Sequence, residues 1–440
     1  MSVPIICLDA RLRQFCETFR TCFSQPQFKY LVTVLLALML CQETHTLTGL
    51  LRQIAEGQSV SGLSRFLSQS PWSAADVAGA WVERFHEQMV EQVKAEHERQ
   101  RRQRPKRQGR PRPTVVTGYL IGDDSTQHKP KGKKMGGLGQ HYSTTAEQQV
   151  TDHSLVQSLY VLLGRRCPLA PQMYRQKAVC AREGVPFQSK VDMMEATIRG
   201  FQPVPDTLTH VLVDSWYTCK RIWRAVRERG FLMTERNTEG ITSGLKANRW
   251  LGVCDAQGPG RWMHLNEYAA QVPPEQYQKM TWPDQDKPRT VYVHVVRTRV
   301  RKLYTCQVVI ARFALDCPLK AVRYWASSDL DADAPTLITH IATRWDIEVL
   351  FGDAKDLLGL DHYQLMDTTA ILRFWTLVMA AYAFLDEERD RLHRERHAHV
   401  TLGEARREVQ RWHWRHVVDW IHQQFLFGVT PDALHTLLVA

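Results

Sequence analysis

Four acidic side chains stand where they could do chemistry together. Val115 to Gly122 reads as an extended run leading into Asp123-Asp124-Ser125-Thr126, and Thr209 to Val213 as a second run ending in Asp214. The fourth acid, Glu348, sits in the stretch TRWDIEVLFGDAKDLLGL, residues 343–360. Arg344, Glu348 and Lys355 are spaced four and seven residues apart. At about 100° per residue they fall within roughly 40° of one another on a helix. Ile347, Leu350, Phe351, Ala354 and Leu358 form an apolar stripe roughly a quarter-turn away, so the helix would press on a core and hold Glu348 at the rim of a cleft. Carboxylates at two strand ends beside a helical Glu are hard oxygen ligands suited to two Mg²⁺ ions around a phosphodiester. One ion would activate a water or 3′-hydroxyl and the other would stabilise the leaving oxygen. Each acid also has a plainer reading. Asp214, just before a helix, could be an N-cap, and Glu348 could belong to ordinary surface ion pairs.

The elements that must position these acids come in a clear order. From Met1 to about Val93 the pattern is helical, with Phe15, Phe19 and Phe23 at spacing four and a break at Ser24-Gln25-Pro26. Short helices joined by small-residue turns fit either a DNA-reading helix-turn-helix or a plain bundle. Residues 99–112, RQRRQRPKRQGRPR, hold eight Lys or Arg among fourteen positions and no apolar residue, which predicts an exposed arm suited to phosphate. The period then changes. Strands are expected at 115–122, at 136–143 and at 154–163, forming a three-strand meander. A helix follows at 187–198, the Asp214 strand, a helix at 220–229 and a strand at 230–234. Residues 291–296 and 306–310 read as paired antiparallel strands, and Tyr324 to Asp329 returns the chain to the main sheet. After Leu360 the pattern is helical, with an apolar helix over 370–385 and a charge-dense segment over 387–399. Thr401-Leu402-Gly403-Glu404 fits a capping box opening a helix over 405–425, whose exposed face could meet DNA, another subunit or only solvent.

The chain has 440 residues and a formal charge of +11, with pI about 9.2, so a polyanionic partner is expected. Its cysteines include no CxxC pair and its histidines no HExxH, which argues against a structural zinc site. The apolar run Tyr30 to Cys41 is too short to span a bilayer and is expected to be a buried helix. Met1 to Ala10 lacks a basic region followed by a long apolar run. The reading is therefore a cytoplasmic, nucleoid-associated protein with no membrane partner.

These motifs in this order resemble the DDE transposases of bacterial insertion sequences, in particular the group with a Tyr-x2-Arg-x3-Glu-x6-Lys signature. The matching residues are Asp123-Asp124-Ser125-Thr126 with the following KPKGKK and GLGQHYS, the VLVDSWY around Asp214, and RWDIEVLFGDAK with Gly359-Leu360. The resemblance spans roughly residues 114–385. It implies a mixed α/β fold, an RNase H-like catalytic core interrupted by a β-rich insertion, with helical N- and C-terminal regions. It implies a metal-binding triad of Asp123 or Asp124, then Asp214, then Glu348. Aligning Ser125 with the family's Thr makes Asp123 the ligand, which is the preferred assignment, while aligning Thr126 would favour Asp124. One departure stands out, because the signature tyrosine would fall at Ile341. Phosphate at the element's end would then be left to Arg344 and Lys355, and the hairpin route of second-strand cleavage is placed in doubt.

On this resemblance residues 1–98 form a helical DNA-binding domain and 99–113 a basic linker. Residues 114–236 with 327–385 form the catalytic domain, 237–326 the β-rich insertion and 386–440 a helical C-terminal region. The implied cofactor is a pair of Mg²⁺ ions, with Mn²⁺ able to substitute. The implied partners are the element's terminal repeats, target DNA and a second copy of the chain on DNA. Further candidate DNA contacts are Lys129 and Lys131 in the Lys-rich turn, Lys246 and Arg249 beside Trp250, and Arg101, Arg102, Arg104, Lys106 and Arg107 in the arm. Two other classes stay open at this point: a DNA-binding regulator without catalysis, and an RNase H-like nuclease without strand transfer.

Overall fold

A computed structural model describes residues 9–54, 58–103, 115–143, 147–229, 240–253, 260–283 and 288–439. The chain begins with helices α1 (Ala10–Glu17), α2 (Gln25–Leu40), α3 (Leu47–Leu51), α4 (Val60–Ser68) and α5 (Ala74–Gln103). Helix α2 starts where the Ser24 backbone N–H donates to Gln27 Oε1 at 2.9 Å. Every residue from Leu31 to Leu40 is buried, so this short apolar helix is an interior one. Helix α5 runs further than its composition suggests and takes in the first residues of the basic arm. Arg99 pairs with Glu96 at 2.7 Å and Arg102 with Glu98 at 3.3 Å, which supports the last turns after Val93, the last residue of the helix to be buried. Arg104, Lys106 and Arg107 lie outside the described residues.

The sheet follows. Its strands and intervening helices are β1 (Thr117–His128), β2 (Gly139–Ser143), β3 (Gln148–Leu162), β4 (Arg165–Pro168), β5 (Gln172–Tyr174), α6 (Lys177–Glu183), α7 (Lys190–Gly200), β6 (Leu208–Val213), α8 (Lys220–Arg229) and β7 (Gly240–Gly244). Then come β8 (Trp250–Val253), β9 (Arg261–His264), α9 (Leu265–Gln271), β10 (Gln278–Trp282), β11 (Arg289–Arg299), β12 (Thr305–Arg312) and β13 (Arg323–Ser327). The chain closes with α10 (Ala334–Thr343), α11 (Asp346–Leu358), α12 (Thr368–Arg396), α13 (Leu402–Leu426) and α14 (Pro431–Val439).

The spatial order is β10-β11-β12-β13-β7-β6-β1-β3-β2, with β4 and β5 also on β3. Strands β1, β6 and β7 are parallel neighbours, while β3 lies antiparallel to β1. An antiparallel partner on one side of the first strand and two parallel strands on the other is the RNase H-like arrangement that the sequence implied. The expected meander differs in detail. Strand β3 pairs directly with β1, and Gly139–Ser143 sits on the far edge of β3 instead of between them. Long β3 has room on that edge for β2, β5 and β4 in turn. The strand expected at 230–234 falls outside the described residues, and the fifth core strand is Gly240–Gly244. The paired strands β11 and β12 extend this same sheet through β13, whose Trp325 faces Gly244. Only β8 and β9 form a separate ribbon among the described strands.

One continuous apolar core runs from Leu12 through the sheet to Val409. Helix α12 is its axis and is a single helix, joining the apolar and charge-dense segments that the sequence separated. Among the described residues it alone is long and apolar enough to cross a membrane, but 78% of its apolar window is buried inside the molecule. Arg373 of α12 donates to the carbonyl of Leu67 at 2.9 Å and to that of Trp72, tying α4 down. Trp81 of α5 donates to the Pro168 carbonyl at 2.7 Å. The N-terminal helices therefore share their core with the sheet.

Candidate active site and basic cleft

The register of the parallel strands decides where the first two acids lie. The last pair between β1 and β6 is Gly122 with Val213. Asp123 and Asp214 are the next residue on each strand, so adjacent strands deliver them side by side. Strand β6 stops there, and Asp214 turns the chain into a short 3-10 turn, accepting the Trp216 N–H at 3.4 Å. The N-cap role of Asp214 is thus real and uses one of its two oxygens. Strand β1 does not stop at the acids. It continues to His128, with Asp123 opposite Gln157 and Asp124 opposite Val156 on β3.

Successive strand residues point to opposite faces, and the two neighbouring acids have different company. Asp123 accepts from Arg344 Nη1 at 3.0 Å, and Arg344 Nη2 lies 3.4 Å from Glu348 Oε1. One guanidinium therefore bridges the strand acid and the helix acid. Burial pushes the Asp123 carboxyl up to about 7; Arg344 opposes the rise, while the charges of Asp214 and Glu348 add to it. The charges of Asp214 and Glu348 are thus both felt at Asp123. Asp124 instead accepts from Lys190 Nζ of α7 at 2.5 Å and from the Tyr217 hydroxyl at 3.1 Å. Burial, and after it Asp124, holds the Tyr217 phenol protonated.

Arg344 and Glu348 do not share one unbroken helix. Helix α10 ends at Thr343, and α11 begins at Asp346, which is anchored to Arg166 at 2.6 Å. Arg344 keeps helical backbone angles at the join, so the four-residue spacing still brings it to Glu348. The stripe Ile347, Leu350, Phe351, Ala354 and Leu358 is buried as expected. Ile341, in the place of the signature tyrosine, is buried with Leu337 and Ile338 against Val291, Val293 and Val309 of β11 and β12.

Three carboxylates of this kind are suitable donors for divalent cations. The raised Asp123 carboxyl records unrelieved like charge and burial, which a bound cation would offset. Among the described residues no three His, Cys, Asp or Glu are gathered closely enough to hold a metal ion as they stand. The guanidinium of Arg344 takes the counter-charge role between Asp123 and Glu348. The donor set fits the chemistry, and cation binding would have to shift Arg344 aside.

The other expected contacts divide. Lys355 Nζ of α11 donates to the Thr126 carbonyl on β1 at 3.2 Å, at the flank of the acids. Lys129 is buried, its ammonium on the carbonyls of Asp361 (2.5 Å) and Tyr363 (2.8 Å) and 3.7 Å from the Tyr363 ring centre. Burial lowers its pKa to about 8. It is a clamp between β1 and the segment after α11, and Lys131, Lys133 and Lys134 are the exposed lysines of that turn. Arg101 and Arg102 are exposed near the end of α5.

Lys246 and Arg249 line a cleft of about 890 Å³ that opens beside Asp214. Its walls include Lys190, Arg301 and Lys302 and the aromatic rings of Tyr174, Trp216 and Trp250, and among the described residues no acidic side chain lines it. Lys246 stands over the exposed Trp216 ring, 5.6 Å from its centre, and Arg301 over Trp250 at 6.0 Å. Cations beside the open Trp216 ring suit a nucleic-acid strand. Sequence reasoning missed Lys190, Tyr217 and Trp216. The last two directly follow Asp214-Ser215 and could have been noticed there, whereas nothing in the sequence around Lys190 points to Asp124.

Two family models match this chain. One, described as DDE superfamily endonuclease, covers residues 18–236, and the other, transposase DDE domain, covers residues 188–384. The first match contains Asp123 and Asp214, and the second contains Asp214 and Glu348. No curated protein matches. Among solved structures the chain is similar to the piggyBac transposase in a synaptic complex with hairpin DNA, at 12% identity and a TM-score of 0.40. That similarity covers 72% of this chain and 55% of the piggyBac chain. The chain therefore spans little more than half the length of that transposase.

Proposed function

Because this chain belongs to the DDE transposase superfamily, we propose that it cuts DNA at the ends of its own mobile element and joins the freed 3′-hydroxyl to target DNA. The observation that carries this reading is that Asp123, Asp214 and Glu348 share one neighbourhood. Two adjacent parallel strands supply the aspartates one residue past their last shared pair, and Arg344 draws in the helix glutamate. The element would be an insertion sequence of the group whose signature Arg344, Glu348 and Lys355 follow.

Asp123, Asp214 and Glu348 would hold two Mg²⁺ ions, or Mn²⁺ in their place. Such a pair of cations supplies an activated oxygen nucleophile and stabilisation of the leaving oxygen. The protein's own residues do the rest. Arg344 neutralises Asp123 and Glu348 in the free protein, and once displaced its planar fork is placed to take a phosphate bidentately. Lys355, on α11 with Glu348, would fix a neighbouring phosphate. The cleft beside Asp214 offers Lys246, Arg249, Arg301 and Lys302 to the DNA backbone and Trp216 and Trp250 to bases. The exposed arginines near the end of α5, with the basic segment that follows them, add sequence-independent attraction. The N-terminal helices are assigned to DNA contact, and the nucleoid is the expected location.

The test is strand cleavage of end-containing DNA by Asp214→Ala and Glu348→Ala. Each should abolish Mg²⁺-dependent cleavage and leave end binding within a few-fold of the parent. Cleavage retained in either variant contradicts the assignment. Joined products from supplied 3′-hydroxyl ends distinguish transposition from simple nuclease action.

A further inference from the structure

The start of α7 brings to the cleft a cation that the three acids do not use. Lys190, the first residue of that helix, forms part of the cleft wall, and its side chain is only 16% exposed. Its ammonium donates to Asp124 Oδ2 at 2.5 Å and lies 5.2 Å from the centre of the Tyr174 ring. The other oxygen of Asp124 accepts the Tyr217 hydroxyl at 3.1 Å. With one partner on each oxygen, the carboxylate cannot turn without breaking a hydrogen bond that is largely shielded from water. An ammonium carries three N–H donors, and among the described residues Asp124 takes one, which leaves two for the cleft.

The helix itself is anchored without this pair. The Ser189 N–H donates to Asp192 Oδ2 at 2.7 Å, and the Asp192 N–H to Ser189 Oγ at 3.1 Å, closing a capping box. Arg221 of α8 pairs with Asp192 and Glu195, and Met193, Met194 and Ile198 are buried. What Asp124 fixes is therefore the direction of Lys190. That direction matters because the cleft borders both strand acids. Asp124 follows Asp123 and donates its own N–H to Asp123 Oδ1 at 2.8 Å. Ser215 and Trp216, in the cleft wall, directly follow Asp214. Lys246, Arg249, Arg301 and Lys302 share that wall with Lys190, so its company is that of a phosphate track.

We propose that Lys190 holds the DNA phosphate next to the bond that is cut, and that Asp124 and Tyr217 are positioning residues that aim its ammonium there. The presence of DNA in the cleft rests on the proposed function. The aim rests on the two hydrogen bonds of Asp124 and on the place of Lys190 in the cleft wall. A lysine fixed beforehand spares the cost of ordering it beside the reacting phosphate, worth about three- to tenfold. Its misplacement is felt in the rate more than in the binding.

The test is end-DNA binding by the full chain in metal-free buffer across a salt series, followed by cleavage kinetics in Mg²⁺. Lys190→Gln, which keeps a donor for Asp124, should weaken binding about three- to tenfold and lower the salt slope by about one. Lys190→Arg, which keeps the charge, should keep the slope. Asp124→Asn should also keep the slope, yet lower kcat about three- to tenfold with KM within about twofold. Tyr217→Phe should move kcat the same way by about two- to threefold. Because Asp124 acts through Lys190, Asp124→Asn/Lys190→Gln should cleave no more slowly than Lys190→Gln alone. A Lys190→Gln protein with the parent's salt slope overturns the proposal. So does an Asp124→Asn loss of kcat that is undiminished in the Lys190→Gln background, which would make the pair merely structural. Cleavage retained in Glu348→Ala would contradict the proposed function instead, and the metal-free salt slope would still decide the part of Lys190.

Discussion

Asp123 and Asp124 are adjacent in the chain and opposite in circumstance. Asp123 faces α11, shares one arginine with Glu348, feels the charge of Asp214, and has its carboxyl pushed up to about 7 chiefly by burial. Asp124 faces α7, where Lys190 and the Tyr217 hydroxyl satisfy it within the protein. One strand residue is left short of positive charge and the other is supplied with it. A carboxylate that must share one guanidinium with a second acid is available to an outside cation, while one with its own partners serves the fold.

The largest effect that would test this contrast is on cleavage. Asp123→Asn should reduce Mg²⁺-dependent cleavage by about a thousandfold or more, and Asp124→Asn by no more than about tenfold. Equal losses would erase the distinction. Stability should move the other way. Because the folded carboxyl of Asp123 is raised above its unfolded value, its cost to the fold grows as pH rises through about 7. Asp123→Asn should therefore melt higher than the parent at pH 8 in chelator, with the gap closing in acid. Asp124→Asn strips Lys190 of its half-buried partner and should cost about 1–3 kcal/mol, read by denaturant titration.

Arg344 sharpens the comparison further. If it stands in for the cations, Arg344→Gln should bind Mn²⁺ more tightly without DNA yet bind end DNA about tenfold more weakly. Weaker binding of both would make Arg344 a purely structural residue.

Burial acts oppositely on the core histidines. His340 on α10 and His153, which donates to the Gly136 carbonyl and accepts the Tyr363 hydroxyl, are both lowered to about 4 by burial. A depressed histidine stabilises the fold above its unfolded pKa of about 6.5, and that stability is lost as pH falls from there towards 4. The melting temperature should drop across this window, and His340→Phe should flatten the drop. A melting temperature independent of pH there would contradict it. The smallest effect concerns the Lys-rich turn. Lys131→Ala should lower DNA affinity a few-fold and the salt slope by about one. Lys129→Ala should lower stability instead.

The local parts of this arrangement were legible in the sequence. The apolar run ending in Asp214 and the helical spacing of Arg344, Glu348 and the Ile347-to-Leu358 stripe need only neighbouring residues to be seen. The preference for Asp123 over Asp124 rested on the family alignment alone, because alternation says that they diverge but not which face α11 covers. Asp, Ser and Thr after Gly122 read as a strand's end, yet β3 runs opposite and carries β1 on to His128. Lys129 read as surface because its partners, Asp361 and Tyr363, are far away in the chain. The basic arm read as unstructured from Arg99 because it lacks apolar residues, and ion pairs to Glu96 and Glu98 extend the helix nonetheless.

The central claim is that cations bind on the Asp123 face and nowhere else on β1. Mn²⁺ titration followed by electron paramagnetic resonance, on the DNA-free parent, Asp123→Asn and Asp124→Asn, tests it directly. The account predicts that Asp124→Asn binds as the parent does and that Asp123→Asn loses at least about tenfold in affinity. Binding that survives in Asp123→Asn and fails in Asp124→Asn would contradict it.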